Sequence, residues 1–176
     1  MEIVMRNDEK EYKGRKGISL VLESATVAYC NCNNPKTISS SDGEEFEKRT
    51  VAILINKKDE EKTKRLFLNA IEQSKLKGVK LPFYKDKEEN LVLTGDSLGN
   101  VNCKNVIKKG AVVDAIYKVY LDTTPFETKD GKKFKAALKL RPTWVQLLKE
   151  APLSPKESDE IDLNVTVYNG SDNNEF

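Results

Sequence analysis

Apolar and polar positions alternate along most of this chain, and the alternation predicts strands everywhere but in one stretch. Over residues 18–31, Leu20 and Leu22 share one parity while Val27 and Tyr29 share the other. That pattern reads as one long strand with a β-bulge at the parity switch, near Glu23-Ser24. Across 46–55, Val51, Ile53 and Ile55 fall on one side, against Lys48, Thr50 and Ala52 on the other. The exception follows directly. Leu66, Phe67, Ala70 and Ile71 form a helical stripe, with Asn56 as cap, Asp59, Glu60 and Glu61 at the positive end of the dipole, and Gly78 as the stop. Residues 79–89 read as loop, 90–94 as a short strand, 100–107 as a further strand and 111–122 as a clear one. Asp130-Gly131 predicts a hairpin turn with 132–141 as the return strand. Residues 143–150 fit a strand or a turn or two of helix, and 162–168 fit a last strand. The charge-rich residues 1–16 read as a mobile arm.

The hairpin concentrates charge. With Asp130 and Gly131 as its loop residues, Thr128 faces Lys133, Phe126 faces Lys135, Asp122 faces Lys139 and Tyr120 faces Arg141. One face then collects Lys118, Tyr120, Phe126, Lys133, Lys135, Lys139 and Arg141, interrupted on the return strand only by Ala137. The other face collects Tyr117, Val119, Leu121, Leu138 and Leu140, which suit a core. Same-face residues repeat every ~7 Å because each residue advances ~3.3 Å. That spacing is commensurate with successive phosphates of an extended nucleic-acid strand. Rings among the cations offer bases a stacking surface worth about 1–3 kcal/mol per base. Phosphate contacts add salt-dependent affinity without sequence preference. The plain alternative is a solvated face on which Asp114 and Asp122 neutralise some of the lysines. Trp144 follows Pro142, which breaks the ladder, so it fits a core and a stacking position equally.

Composition narrows the function. The 176 residues, 38% hydrophobic and 33% charged, suit one domain with one core. The net charge of +2 hides an asymmetry: from residue 150 onward seven acidic residues face Lys156 alone, giving −6, and the first 149 residues carry +8. A basic body with an acidic tail fits a nucleic-acid binder that regulates its own surface. The absence of histidine excludes an imidazole base, Ser-His and Cys-His nucleophiles and His-ligated zinc, so the chain reads as a non-enzyme. Cys30, Cys32 and Cys103 are too few for a structural zinc without histidine. They read as reduced thiols of a cytoplasmic protein, in the host cytoplasm if the protein is viral. No metal and no cofactor is expected. No run of 18 apolar residues exists and residues 1–16 lack an apolar signal segment, so neither a membrane span nor a signal peptide is expected. The acidic end, with Asp172, Glu175 and a terminal Phe176, can lie over a basic groove or offer its ring and carboxylate to a partner.

The expected architecture is mostly β (α+β): a five-stranded OB-fold barrel with one main α-helix and a flexible acidic C-terminal tail. Its parts are a charged arm at 1–17, the barrel at 18–150 and a Pro-containing tail at 151–176. Several segments resemble, in order and spacing, phage-encoded single-stranded-DNA-binding proteins of the OB-fold replication type. They are Ala25-Thr26-Val27-Ala28-Tyr29 before a loop, Arg49-Thr50-Val51-Ala52-Ile53-Leu54-Ile55 leading into a Lys/Glu-rich helix, and Lys109-Gly110-Ala111-Val112-Val113 opening the hairpin. Val145-Gln146 within Trp144-Val145-Gln146-Leu147-Leu148 is similar to that family's last strand. The resemblance implies coating and protecting single strands in DNA replication or recombination. Phe176 on its acidic tail is similar to tails that recruit a polymerase or helicase, and a homodimer is left open. A non-catalytic β-barrel interaction or virion structural domain is the alternative.

Overall fold

The computed structural model describes residues 1–12, 15–74 and 78–152, and for a few of these, Phe126 and Lys133 among them, the backbone alone. In chain order the elements are β1 (Glu2–Tyr12), β2 (Arg15–Cys30), β3 (Lys36–Ser39), β4 (Glu45–Ile55), α1 (Glu60–Ser74), β5 (Phe83–Lys85), β6 (Leu91–Ser97), β7 (Val112–Thr128) and β8 (Gly131–Lys149).

Strand β2 is the spine. Its first half lies between β1 and β7, and its second half between β7 and β4. The exchange of neighbours happens at the expected bulge: the β2–β7 register shifts between Leu22 and Ala25, and Ser24 adopts φ 55°. A left-handed serine is strained. Its N–H donates to the Asp114 carboxylate at 3.0 Å, which holds the bend. The extra residue also resets the parity, so Leu20, Leu22, Ala25 and Val27 all face the core.

The hydrogen-bonded path is β5-β6-β4-β2-β7-β8, with β1 beside β2 and β3 beside β4. The long strands β2, β4, β6, β7 and β8 curl until the outer edge of β8 returns to the β5–β6 end. Four backbone bonds seal this seam. Lys80 N–H donates to Ala136 at 3.0 Å, and Leu138 N–H donates to Lys80 at 2.8 Å. Asn102 N–H donates to Thr143 and Val145 N–H donates to Asn102, both at 3.0 Å. Between the two bridges β6 presses on β8 at Gly95, where a Cβ would stand 2.6 Å from the Leu140 carbonyl oxygen. The fold is the mostly β, OB-type barrel with one helix that the sequence predicts.

Inside, Leu20, Leu22, Val51, Ile53, Leu93 and Val113 are fully buried. Tyr117 is buried with them, and its hydroxyl donates to the Val51 carbonyl at 2.9 Å, so the core holds no orphaned phenol. Helix α1 docks through Phe67, edge-on to Phe83 with centroids 4.9 Å apart. Asn56 caps its approach, the side-chain oxygen accepting from Asp59 N–H at 3.2 Å.

Several expectations are corrected. Residues 1–16, read as a mobile arm, instead contain strand β1: Ile3 is 4% exposed, and the backbone pairs with β2 from Glu2↔Glu23 to Asn7↔Ile18. Ile3 packs into the core with Met1 and Met5 against it, while Val4 and the charges stay at the surface. Within 79–89, β5 pairs with β6. Residues 100–107 form only the Asn102 bridge, and 143–150 belong to β8. The expected strand at 162–168 and nearly all of the 151–176 tail lie outside the described residues.

The hairpin register is also offset. Thr128 pairs with Gly131, Phe126 with Lys133, Tyr120 with Lys139 and Lys118 with Arg141. The loop residues are therefore Lys129 and Asp130. Positive φ falls at Gly131 (111°) and at neither loop residue. A type I′ turn would need it at both loop residues and a type II′ turn at the first, whereas a type I turn followed by a left-handed glycine needs it only at that glycine. The offset is two residues, an even number, so the register change by itself moves no residue to the other face of the sheet. One core assignment fails for a different reason. The β2–β7 pairing ends at Ile18↔Val119, beyond which β7 lacks a β2 partner on that side among the described residues, and Leu121 is 42% exposed.

Gly95→Ala is expected to cost about 1–3 kcal/mol by overpacking the seam. Chemical denaturation checks this, and an unchanged midpoint would show that β6 does not press on β8 there.

Candidate nucleic-acid interface

An open groove of about 1900 Å³ runs over the seam. The hairpin supplies one wall with Lys118 and Tyr120 from β7 and Lys139 and Arg141 from β8. Lys48 of β4, Tyr84 of β5 and Asp96 of β6 form the other, with Lys80 at the junction. Tyr120 and Tyr84 are 44% and 47% exposed, leaving ring surface free on both sides of the groove. Four residues that the sequence singled out (Lys118, Tyr120, Lys139 and Arg141) thus meet in one place. Lys135 is exposed farther out on β8 and does not line the groove. Trp144 is half-buried, pairs with Ile116 beside Asn102, and does not line it either. The side chains of Phe126 and Lys133, and all of Asp172, Glu175 and Phe176, lie outside the described residues.

Lys48, Lys80 and Tyr84 are additions from the second wall. Lys48 was legible as an outward residue of its strand. Nothing local marks Lys80 or Tyr84, because their position depends on how the barrel closes.

Carboxylates temper the cations. Lys118 pairs with Asp8 of β1, which also accepts from Ser19 Oγ at 2.5 Å. Lys139 Nζ lies 2.8 Å from Asp122, and Lys48 Nζ lies 3.6 Å from Asp96. Hydrogen bonding from Lys118 first, then from Ser19, holds the Asp8 carboxyl below its ordinary value. The contact tying β1 across β2 to β7 is therefore present above the ordinary aspartate value of 3.8 and is lost as pH falls through the lowered one. The Asp122 carboxylate raises the Lys139 ammonium in turn. Pairs this exposed contribute about 0–1 kcal/mol each, so a phosphate can compete for their lysines. Arg141 and Lys80 have no ion-pair partner among the described residues.

The cysteines are free thiols. Cys30 and Cys32 border a small second cavity of about 270 Å³ beside Tyr29 and Val106. A hydrogen bond from Cys32 lowers the Cys30 thiol to about 7, while the same contact and burial push Cys32 up. Burial raises Cys103. Among the described residues no cluster of ligating side chains could hold a metal ion, and no helix is long and apolar enough to cross a membrane.

No protein-family model and no curated protein matches the chain. Solved structures of phage proteins share its outline. The single-stranded DNA-binding protein from bacteriophage Enc34 in complex with ssDNA is 17% identical with a TM-score of 0.47, covering 81% of this chain and 94% of that one. Bacteriophage T7 gp2.5, a single-stranded DNA binding protein, is 13% identical with a TM-score of 0.49, covering 87% and 100%. A further structure of the single-stranded DNA-binding protein from bacteriophage Enc34 is 15% identical with a TM-score of 0.47, covering 98% and 99%. These are similarities of outline.

At pH 7.5 a limiting amount of a small alkylating reagent should label Cys30 ahead of Cys32 and Cys103, because the thiolate is the reactive form. Peptide mapping reads the order, and labelling of Cys103 first would contradict the assignment.

Proposed function

We propose that the protein binds single-stranded DNA without sequence preference and coats it, as a non-catalytic module of DNA replication or recombination. The observation that carries the reading is the seam groove, where Lys80, Lys118, Lys139 and Arg141 stand beside two exposed tyrosine rings. Cations in such a groove meet a phosphate backbone, which gives affinity that falls with salt. Exposed rings select the strand: a duplex hides its base faces in its own stack, whereas unpaired bases can lie on Tyr120 and Tyr84. In small barrels of this type the face of the second and third barrel strands and the adjoining loops bind oligonucleotides. Here that face is built from β4 and β6, with the β7–β8 hairpin alongside. The groove contains no imidazole, and its carboxylates are engaged with lysines or a threonine. This arrangement suits holding a strand rather than cutting one. In the same reading, Asp172, Glu175 and Phe176 recruit a replication polymerase or helicase.

Titration with oligo-dT and with duplex of equal length, at two salt concentrations, tests this. Single strands should bind far more tightly, with affinity falling steeply with salt. Tyr120→Ala and Tyr84→Ala should each weaken binding by about 1–3 kcal/mol. Equal affinity for duplex, or no binding of either, would favour the protein-interaction alternative.

A further inference from the structure

The basic row on β8 has a gap at Ala137, between Lys135 and Lys139. The seam places Lys80 at that gap. Its backbone bridges to Ala137, donating to Ala136 at 3.0 Å and accepting from Leu138 at 2.8 Å. Bridged residues on adjacent strands project to the same side, about 4.8 Å apart. Both Lys80 and Ala137 line the groove, and Lys80 is exposed. We propose that Lys80 is a phosphate-binding residue that completes the cation row of the hairpin from outside it. Resting on the single-strand reading of the groove, this names the residue that grips the backbone between Lys135 and Lys139.

Two further observations support the role. Lys118, Lys139 and Lys48 each hold a carboxylate, so a phosphate reaching them must displace a partner. Lys80, like Arg141, has no ion-pair partner among the described residues. A strand entering the groove therefore meets Lys80 and Arg141 without that competition. The sealing bonds of Lys80 also come from its main chain alone. Its position is set by the fold whatever side chain it carries, and the side chain is left to the ligand.

The separation from structure makes a clean test. Wild type, Lys80→Ala, Lys80→Arg and a control, Lys62→Ala on the exposed face of α1, are titrated with oligo-dT across a salt series, with thermal melts alongside. Each phosphate contact to a single strand contributes about 0.7 to the slope of log K against log salt. Lys80→Ala should flatten the slope by about that amount and weaken binding roughly five- to tenfold at low salt, with an unchanged melt. Lys80→Arg should restore both. Wild-type binding with Lys80→Ala indistinguishable from Lys62→Ala would overturn the Lys80 assignment alone. Wild type that binds no single strand would overturn the reading of the groove, and the assignment with it.

Discussion

The closure of the barrel along the outer edge of β8 is the constraint on which everything else depends. A curled sheet leaves two free edges, and an unpaired row of N–H and C=O groups is costly to bury and hazardous to expose. This chain satisfies the β8 edge with single residues rather than with a full strand: Lys80 on one side of the β6 approach and Asn102 on the other. Gly95 lets β6 come close enough for both bridges to form. Because the closure is partial, the sheet stays open above it, and the opening is the groove.

The same geometry explains how the charge is placed. Strands β7 and β8 run on past the last β2 pair, so the hairpin's polar face continues beyond the core, with the Lys80 bridge beside it. Opposing carboxylates from β1, β6 and β7 hold its lysines and the facing one on β4. A groove of unopposed lysines would repel itself in the free protein. Weak exposed pairs relieve that repulsion and still yield to a phosphate chain.

Much of this was legible in the residues. The parity switch at Glu23-Ser24 located the bulge, and the alternation around Asp130-Gly131 put Tyr117 and Leu140 on the buried face and Tyr120, Lys139 and Arg141 on the open one although the register was two residues off. That error was harmless because side-chain direction repeats every two residues, and it arose because one glycine serves two turn types that differ only in where positive φ falls. The N-terminal strand was hidden by its charge: Ile3 and Met5 are too few to signal a strand until β2 is there to pair with them. The second wall of the groove was illegible for a deeper reason. Lys80 and Tyr84 reach it through contacts distant in sequence, and no local pattern encodes the place where two sheet edges meet.

The central claim is that a strand lies along the seam between the hairpin and the β5–β6 wall. Photo-crosslinking of a 5-iodouracil-substituted single strand, followed by peptide mapping, tests this most directly. The account predicts adducts at Tyr120 and Tyr84, one from each side of the seam. Adducts confined to Tyr29, on the small cavity away from the groove, would contradict it.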